Sequence, residues 1–133
     1  MDTKHTTPRV LLQNKYEFLR HGHIRGGLTA FGFECGDGWI FILEDLFAKI
    51  DEEVKKAQLA SFQVLQVKEK FGELVVYVDG GNDAIDALIV AASKRAAVTC
   101  EDCGKPGRMR EFNEWYRTEC SKCYAARPAN EHA

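Results

Sequence analysis

Four of the five cysteines in this 133-residue chain fall into two C-x-x-C pairs, Cys100 with Cys103 and Cys120 with Cys123. Sixteen residues separate the pairs, a spacing within the range of zinc ribbons. Two residues between paired cysteines allow a tight turn that brings both sulfurs to one ion at ~2.3 Å, and Gly104 relieves the backbone directly after Cys103. Four thiolates close a tetrahedron, leaving no position for water or substrate, so the expected role of the metal is structural. The competing chemistries fit less well. Redox C-x-x-C motifs occur singly at a strand-to-helix junction. The zinc deaminase pattern needs a His-x-Glu upstream and a proline before the second pair, where this chain has Glu119.

Other residues invite weaker readings. Cys35 lies near His21 and His23 in a glycine-rich stretch, but no signature of a cysteine hydrolase surrounds it, and a buried structural thiol is the favoured reading. Lys68, Lys70 and Phe71 sit at the tip of an expected hairpin, where an aromatic flanked by charge serves either as a solvated turn or as an interface anchor. Arg108 and Arg110 with Trp115 and Tyr116 offer a second candidate surface. Together with Arg117 and Lys122 these arginines open a nucleic-acid reading, in which cations meet phosphates and aromatic rings stack on bases. From residue 94 onward, eight basic side chains face six acidic ones, too small an excess to favour that reading.

The elements that must position these groups are read from periodicity. Thr7-Pro8 is a helix start and Gly22 a stop, with Leu11, Leu12, Tyr16 and Leu19 on one face. Leu28 to Glu34 reads as extended. Trp39, Leu43, Leu46, Phe47, Ile50 and Val54 recur at helical spacing and predict a helix over Trp39 to Lys56. Phe62 to Val67 and Leu74 to Val78 predict a β-hairpin joined through Lys68 to Gly72. Asn82 or Asp83 then caps a helix that turns Ile85, Leu88, Ile89, Ala92 and Ala96 inward and runs nearly to Cys100. The metal is expected to fix Lys105 to Glu119 as a loop and strand, with Trp115 and Tyr116 folded toward the preceding helix. Tyr124 to Ala133 is expected to fray.

Composition bounds the rest. The chain has the length of one domain, and 45% hydrophobic residues suffice for a core. A formal charge of −2 supplies no general attraction to nucleic acid or anionic membrane. The opening residues lack the pattern of a secretion signal and no segment is apolar for the ~20 residues a bilayer requires, which predicts a cytoplasmic protein with no membrane partner. In a reducing compartment, paired C-x-x-C motifs favour metal over disulfides.

GDGW at Gly36 to Trp39, QVKEKFGEL at Gln66 to Leu74, YVDGG at Tyr77 to Gly81 and TCEDCGKPGR at Thr99 to Arg108, with the later tryptophan and closing C-x-x-C, form an ordered set. This set resembles a family of small uncharacterised zinc-ribbon proteins found in bacteria, their prophages and phages. The resemblance spans Gly36 to Cys123 and implies one structural zinc ion and a mobile-element setting, without an activity. Family members often carry an arginine and a phenylalanine after the leucine of the second strand. Here Val75 and Val76 stand there, so no role of that arginine transfers.

The sequence therefore predicts an α+β fold, with two to three helices packed on a small antiparallel hairpin sheet and a C-terminal four-cysteine zinc-ribbon module. Residues 1–35 would hold a helix and glycine-rich strand, 36–98 an α-β-β-α core, 99–124 the ribbon, and 125–133 a flexible tail. The expected function is non-enzymatic: binding of another macromolecule, a protein before a nucleic acid. The phage resemblance adds the expectation of an inhibitor of a host defence complex such as CRISPR. A regulatory nucleic-acid-binding ribbon is the alternative.

Overall fold

The computed structural model describes residues 7–20 and 32–126. The architecture is α+β, and it begins with a capped helix: the Thr7 hydroxyl accepts the Val10 N–H at 3.3 Å, and Pro8 opens α1 (Pro8–Lys15). The single helix expected up to Gly22 breaks at Tyr16, whose φ of −115° and ψ of 141° are extended, and resumes as the short α2 (Glu17–Arg20). The break turns Phe18 and Leu19 into the core while Leu11, expected inward, stays exposed. Phe18 then meets Phe62 edge-on at 5.3 Å and stacks on Tyr16 at 5.1 Å. His21 and His23, and the expected strand residues Leu28 to Phe31, lie outside the described residues.

α1 also fixes the strand that follows. Gln13 Oε1 accepts the Phe33 N–H at 2.9 Å, and the Arg9 guanidinium donates to the carbonyls of Phe33 and Cys35 and meets Asp37 Oδ1 at 2.8 Å. Thus held, β1 (Phe33–Glu34) adds in parallel to β2 (Gln63–Lys70), which pairs antiparallel with β3 (Glu73–Asp79). The sheet is three-stranded, in the order β1-β2-β3, and mixed, where the sequence predicts only the antiparallel hairpin.

Between β1 and β2 runs α3 (Ile40–Ala57), entered through a 3-10 turn at Asp37–Trp39. Its buried residues include the predicted Leu43, Leu46, Phe47 and Ile50, together with Ile40 and Ile42. Asn82 caps α4 (Asp83–Ala96): its Oδ1 accepts the Ile85 N–H at 3.0 Å, and its amide reaches Glu53 of α3 at 2.9 Å. α3 and α4 contribute Phe47, Ile50, Ile85 and Ala92, and the sheet Val64, Val67, Leu74 and Val76, to one buried cluster.

The first hairpin is tighter than expected. The strands extend through Lys70 and resume at Glu73, leaving Phe71 and Gly72 as a two-residue turn with φ of 52° and 83°. Positive φ at both centres is what a two-residue hairpin of matching twist requires, but the first position normally carries asparagine, aspartate or glycine. Beyond α4 a second, two-stranded sheet forms from β4 (Arg108–Phe112) and β5 (Trp115–Glu119), closed by Asn113 and Glu114 at φ of 50° and 65°. The chain then enters α5 (Ser121–Ala126), so Tyr124, Ala125 and Ala126 are helical where fraying was expected. Arg110 lies over the Tyr124 ring at 4.8 Å.

Candidate metal centre

The Cys100 pair sits in a turn directly after α4, and the Cys120 pair spans the end of β5 and the first turn of α5. Gly104, at φ +84°, donates its N–H to the Cys100 carbonyl at 2.9 Å, and the Cys100 N–H reaches the Lys105 carbonyl at 2.7 Å. These bonds curl the first pair around a point, and the left-handed glycine makes the curl possible. On the other side, the Cys123 N–H donates to Cys120 Sγ at 3.4 Å.

The result is four Sγ atoms all within 4.8 Å of one another. A tetrahedral thiolate site with ~2.3 Å bonds has sulfur-to-sulfur edges of ~3.8 Å, and Cys103 Sγ and Cys120 Sγ stand 3.7 Å apart. All four predicted ligands thus converge in an arrangement that can bind a metal ion. Cys100 is buried, Cys120 and Cys123 are half-buried, and Cys103 is exposed, which places the centre at the surface with one side anchored in the protein. Burial pushes the Cys100 thiol up, whereas the Cys123 N–H holds Cys120 down to about 7. A cation is what allows all four thiols to be thiolates together.

The anchoring explains the GDGW segment. The Gly38 N–H donates to the Glu101 carbonyl at 2.7 Å, the Gly36 N–H to Glu101 Oε2 at 2.8 Å, and the Trp39 indole N–H to the Thr99 carbonyl at 2.8 Å. A Cβ on Gly38 would stand 2.2 Å from the Cys100 carbonyl oxygen, and one on Gly36 2.4 Å from that of Glu101. Both glycines are therefore needed because the cysteine turn lies against the start of α3. The sequence reading treats them as turn residues and does not find this contact, which spans some sixty positions along the chain.

A buried charge cluster underlies the second sheet. Glu101 and Glu119 are 3% and 0% exposed, and the Arg117 guanidinium lies 2.8 Å from Asp102 Oδ1 and 3.6 Å from carboxylate oxygens of both Glu101 and Glu119. Burial raises the Glu101 carboxyl, opposed by Arg117 and by the Gly36 N–H. Arg117 is thus an internal counter-ion. Arg110 is likewise engaged, donating to the Glu119 carbonyl at 3.0 Å and to Ser121 Oγ at 3.2 Å, while Arg108 and Lys122 are exposed.

The two candidate partner surfaces prove to be neighbours. The first hairpin's tip rests on the second sheet: Thr118 Oγ1 donates to the Gly72 carbonyl at 2.7 Å, and a Cβ on Gly72 would lie 2.4 Å from Met109 Sδ. Phe71 meets Tyr116 edge to face, with ring centroids 6.3 Å apart and planes at 86°. Trp115 and Tyr116 do not fold toward the helix before Cys100 as expected: Tyr116 faces the hairpin tip and Trp115 stays exposed. Lys68 and Lys70 lie apart from this junction on the sheet's other face, with Lys68 Nζ 5.9 Å from the Tyr77 ring centroid.

Cys35 packs against the core, and burial raises its thiol to about 12, so it is protonated at neutral pH. Among the described residues no helix is long and apolar enough to cross a membrane. Comparison of the chain with protein-family models, curated proteins and solved structures yields no match.

Proposed function

We propose that the metal is zinc, bound once per chain in a purely structural site, and that the protein acts in the cytoplasm without catalysis, by binding another protein. Four thiolates favour zinc over harder divalent ions. The observation that carries the binding reading is the junction of the two hairpins, where Phe71 and Trp115 are 65% and 60% exposed beside Tyr116. Large aromatics held at a surface by rigid strands are the side chains that anchor protein interfaces. The phage resemblance gives the partner a setting: a host complex, including a defence complex such as CRISPR, that a mobile element gains by inhibiting.

The nucleic-acid alternative draws less support, because two of its four cations, Arg110 and Arg117, are already bonded within the protein. The test is an affinity capture from host lysate with wild-type protein and the Trp115→Ala variant in parallel. Recovery of one stoichiometric protein complex by the wild type alone supports the reading. Recovery of nuclease-sensitive nucleic acid, lost at raised salt, replaces it with the alternative.

A further inference from the structure

The notch at the hairpin junction has a composition that an ordinary apolar interface anchor does not need. Its volume is about 210 Å³, and the residues around it are Glu69, Phe71, Glu114, Trp115 and Tyr116: three aromatic and two acidic, with no basic one. A third carboxylate stands behind it, since the Tyr116 hydroxyl donates to Glu111 at 2.7 Å. That bond to Glu111 raises the phenol's pKa and keeps it protonated. We infer that this notch is a receptor for a cation on an aliphatic stem, and that its occupant is a lysine side chain of the protein partner. The inference rests on the protein-binding reading above and gives that partner its chemistry.

Three observations point the same way. The Phe71 and Tyr116 rings stand at 86°, which forms a corner. A compact ammonium can approach several ring faces at once in a corner, whereas a planar guanidinium stacks best on a single flat ring. Glu69, whose Oε2 accepts the Gly72 N–H at 2.6 Å, and Glu114 come from the two different hairpins, so each hairpin brings an acidic residue to the notch. Phe71 also occupies a turn position at φ 52°, where asparagine or glycine would relieve the backbone. Its ring remains 65% exposed, so burial does not compensate for the conformation. A strained, exposed aromatic is accounted for if its ring is needed where the turn places it.

The test uses the full-length zinc-loaded protein and three N-acetylated peptide amides, identical except for one central residue: lysine, arginine or norleucine. Norleucine keeps the aliphatic stem and removes the charge. Binding is followed by emission of Trp115, with the buried Trp39 as the second and constant emitter, and by chemical-shift changes of the residue 71 and 114–116 amides. The expected result is saturable binding of the lysine peptide, at least about fivefold tighter than that of norleucine. It should weaken further in Trp115→Ala and Glu114→Gln. Phe71→Asn, which suits the turn, should keep the fold by its amide spectrum and lose the preference. Equal binding of lysine and norleucine peptides, or no binding of either at millimolar concentration, overturns the inference. A captured protein complex that survives Trp115→Ala moves protein binding to another surface, whereas one lost in Trp115→Ala but kept in Glu114→Gln, with no lysine preference, overturns the inference and leaves the protein-binding reading standing. Lysine-peptide binding without any captured protein overturns the protein-binding reading, and with it the assignment of the lysine to a partner protein, while the notch's preference for an ammonium stands.

Discussion

The two hairpins close with the same device, a two-residue turn with both φ values positive, yet they are held in place by opposite means. β2 and β3 lay Val64, Val67, Leu74 and Val76 against the helices, and the apolar area removed from water supports the pairing. In β5 the buried residues are Thr118 and Glu119, one polar and one charged. A hydrogen bond to Gly72, an arginine between carboxylates, and the thiolate centre stand where the first hairpin has hydrocarbon. The difference shows how a short segment with too few apolar residues for a core of its own can still hold one conformation. It leans on the neighbouring sheet and closes its ends on four cysteines arranged to bind a metal ion.

Removing the ion should therefore separate the two regions most sharply. Cys103→Ser, at the exposed ligand, is expected to lose bound metal and the amide protection of residues 99–126, while α3, α4 and the first sheet stay protected from hydrogen exchange. Uniform loss of protection would mean that the ribbon and core form one cooperative unit. The next largest effect is expected from Arg117→Met, which leaves Glu101 and Glu119 buried without their counter-ion and should cost about 3–5 kcal/mol in urea unfolding. A loss below about 1 kcal/mol would show that the carboxylates find other compensation.

Trp39→Phe tests the joint between the regions, since it keeps a large ring but removes the donor to the Thr99 carbonyl. A loss of about 1–3 kcal/mol is expected, with metal affinity falling in the same variant. A smaller signal belongs to Cys35. Its thiol is raised from the ordinary 9.0 to about 12 by burial, so the folded state favours the protonated form. The stability this contributes is complete below pH 9 and is lost as pH rises from 9 toward 12. In the metal-loaded protein Cys35 should resist iodoacetamide at pH 8, and rapid alkylation there would contradict its burial. Smallest of all, Phe71→Asn should change stability by less than about 1 kcal/mol, because relief of the turn offsets loss of the Phe71–Tyr116 contact.

The sequence states local features plainly and contacts between distant segments hardly at all. The four ligands, the helices at Ile40–Ala57 and Asp83–Ala96, and the Asn82 cap are legible because spacing and periodicity within a few turns define them. The break at Tyr16 is not, because the apolar face continues through it and only the packing of Phe18 on Phe62 selects the bent form. The parallel addition of β1 depends on Arg9 and Gln13 reaching Phe33 from another helix. Each candidate partner aromatic is visible singly, but their meeting needs the first hairpin to rest on the second through Gly72 and Thr118. Arg117 reads as a surface cation because nothing nearby in sequence announces that Glu101 and Glu119 will both be buried beside it.

The contact between the Gly36–Trp39 ledge and the turn from Thr99 to Glu101 also sets an order of events during synthesis. The ledge, the first sheet and α4 all precede Cys100 in the chain, so every residue of the surface that receives the first cysteine pair is synthesised before that pair. Cys120 follows seventeen residues after Cys103, a delay of about 1–3 s at ordinary elongation rates. The first pair also leaves the ribosome ahead of the second by that interval, next to segments already synthesised. An ion captured there would wait for its remaining ligands, and the ribbon would fold around a metal already in place.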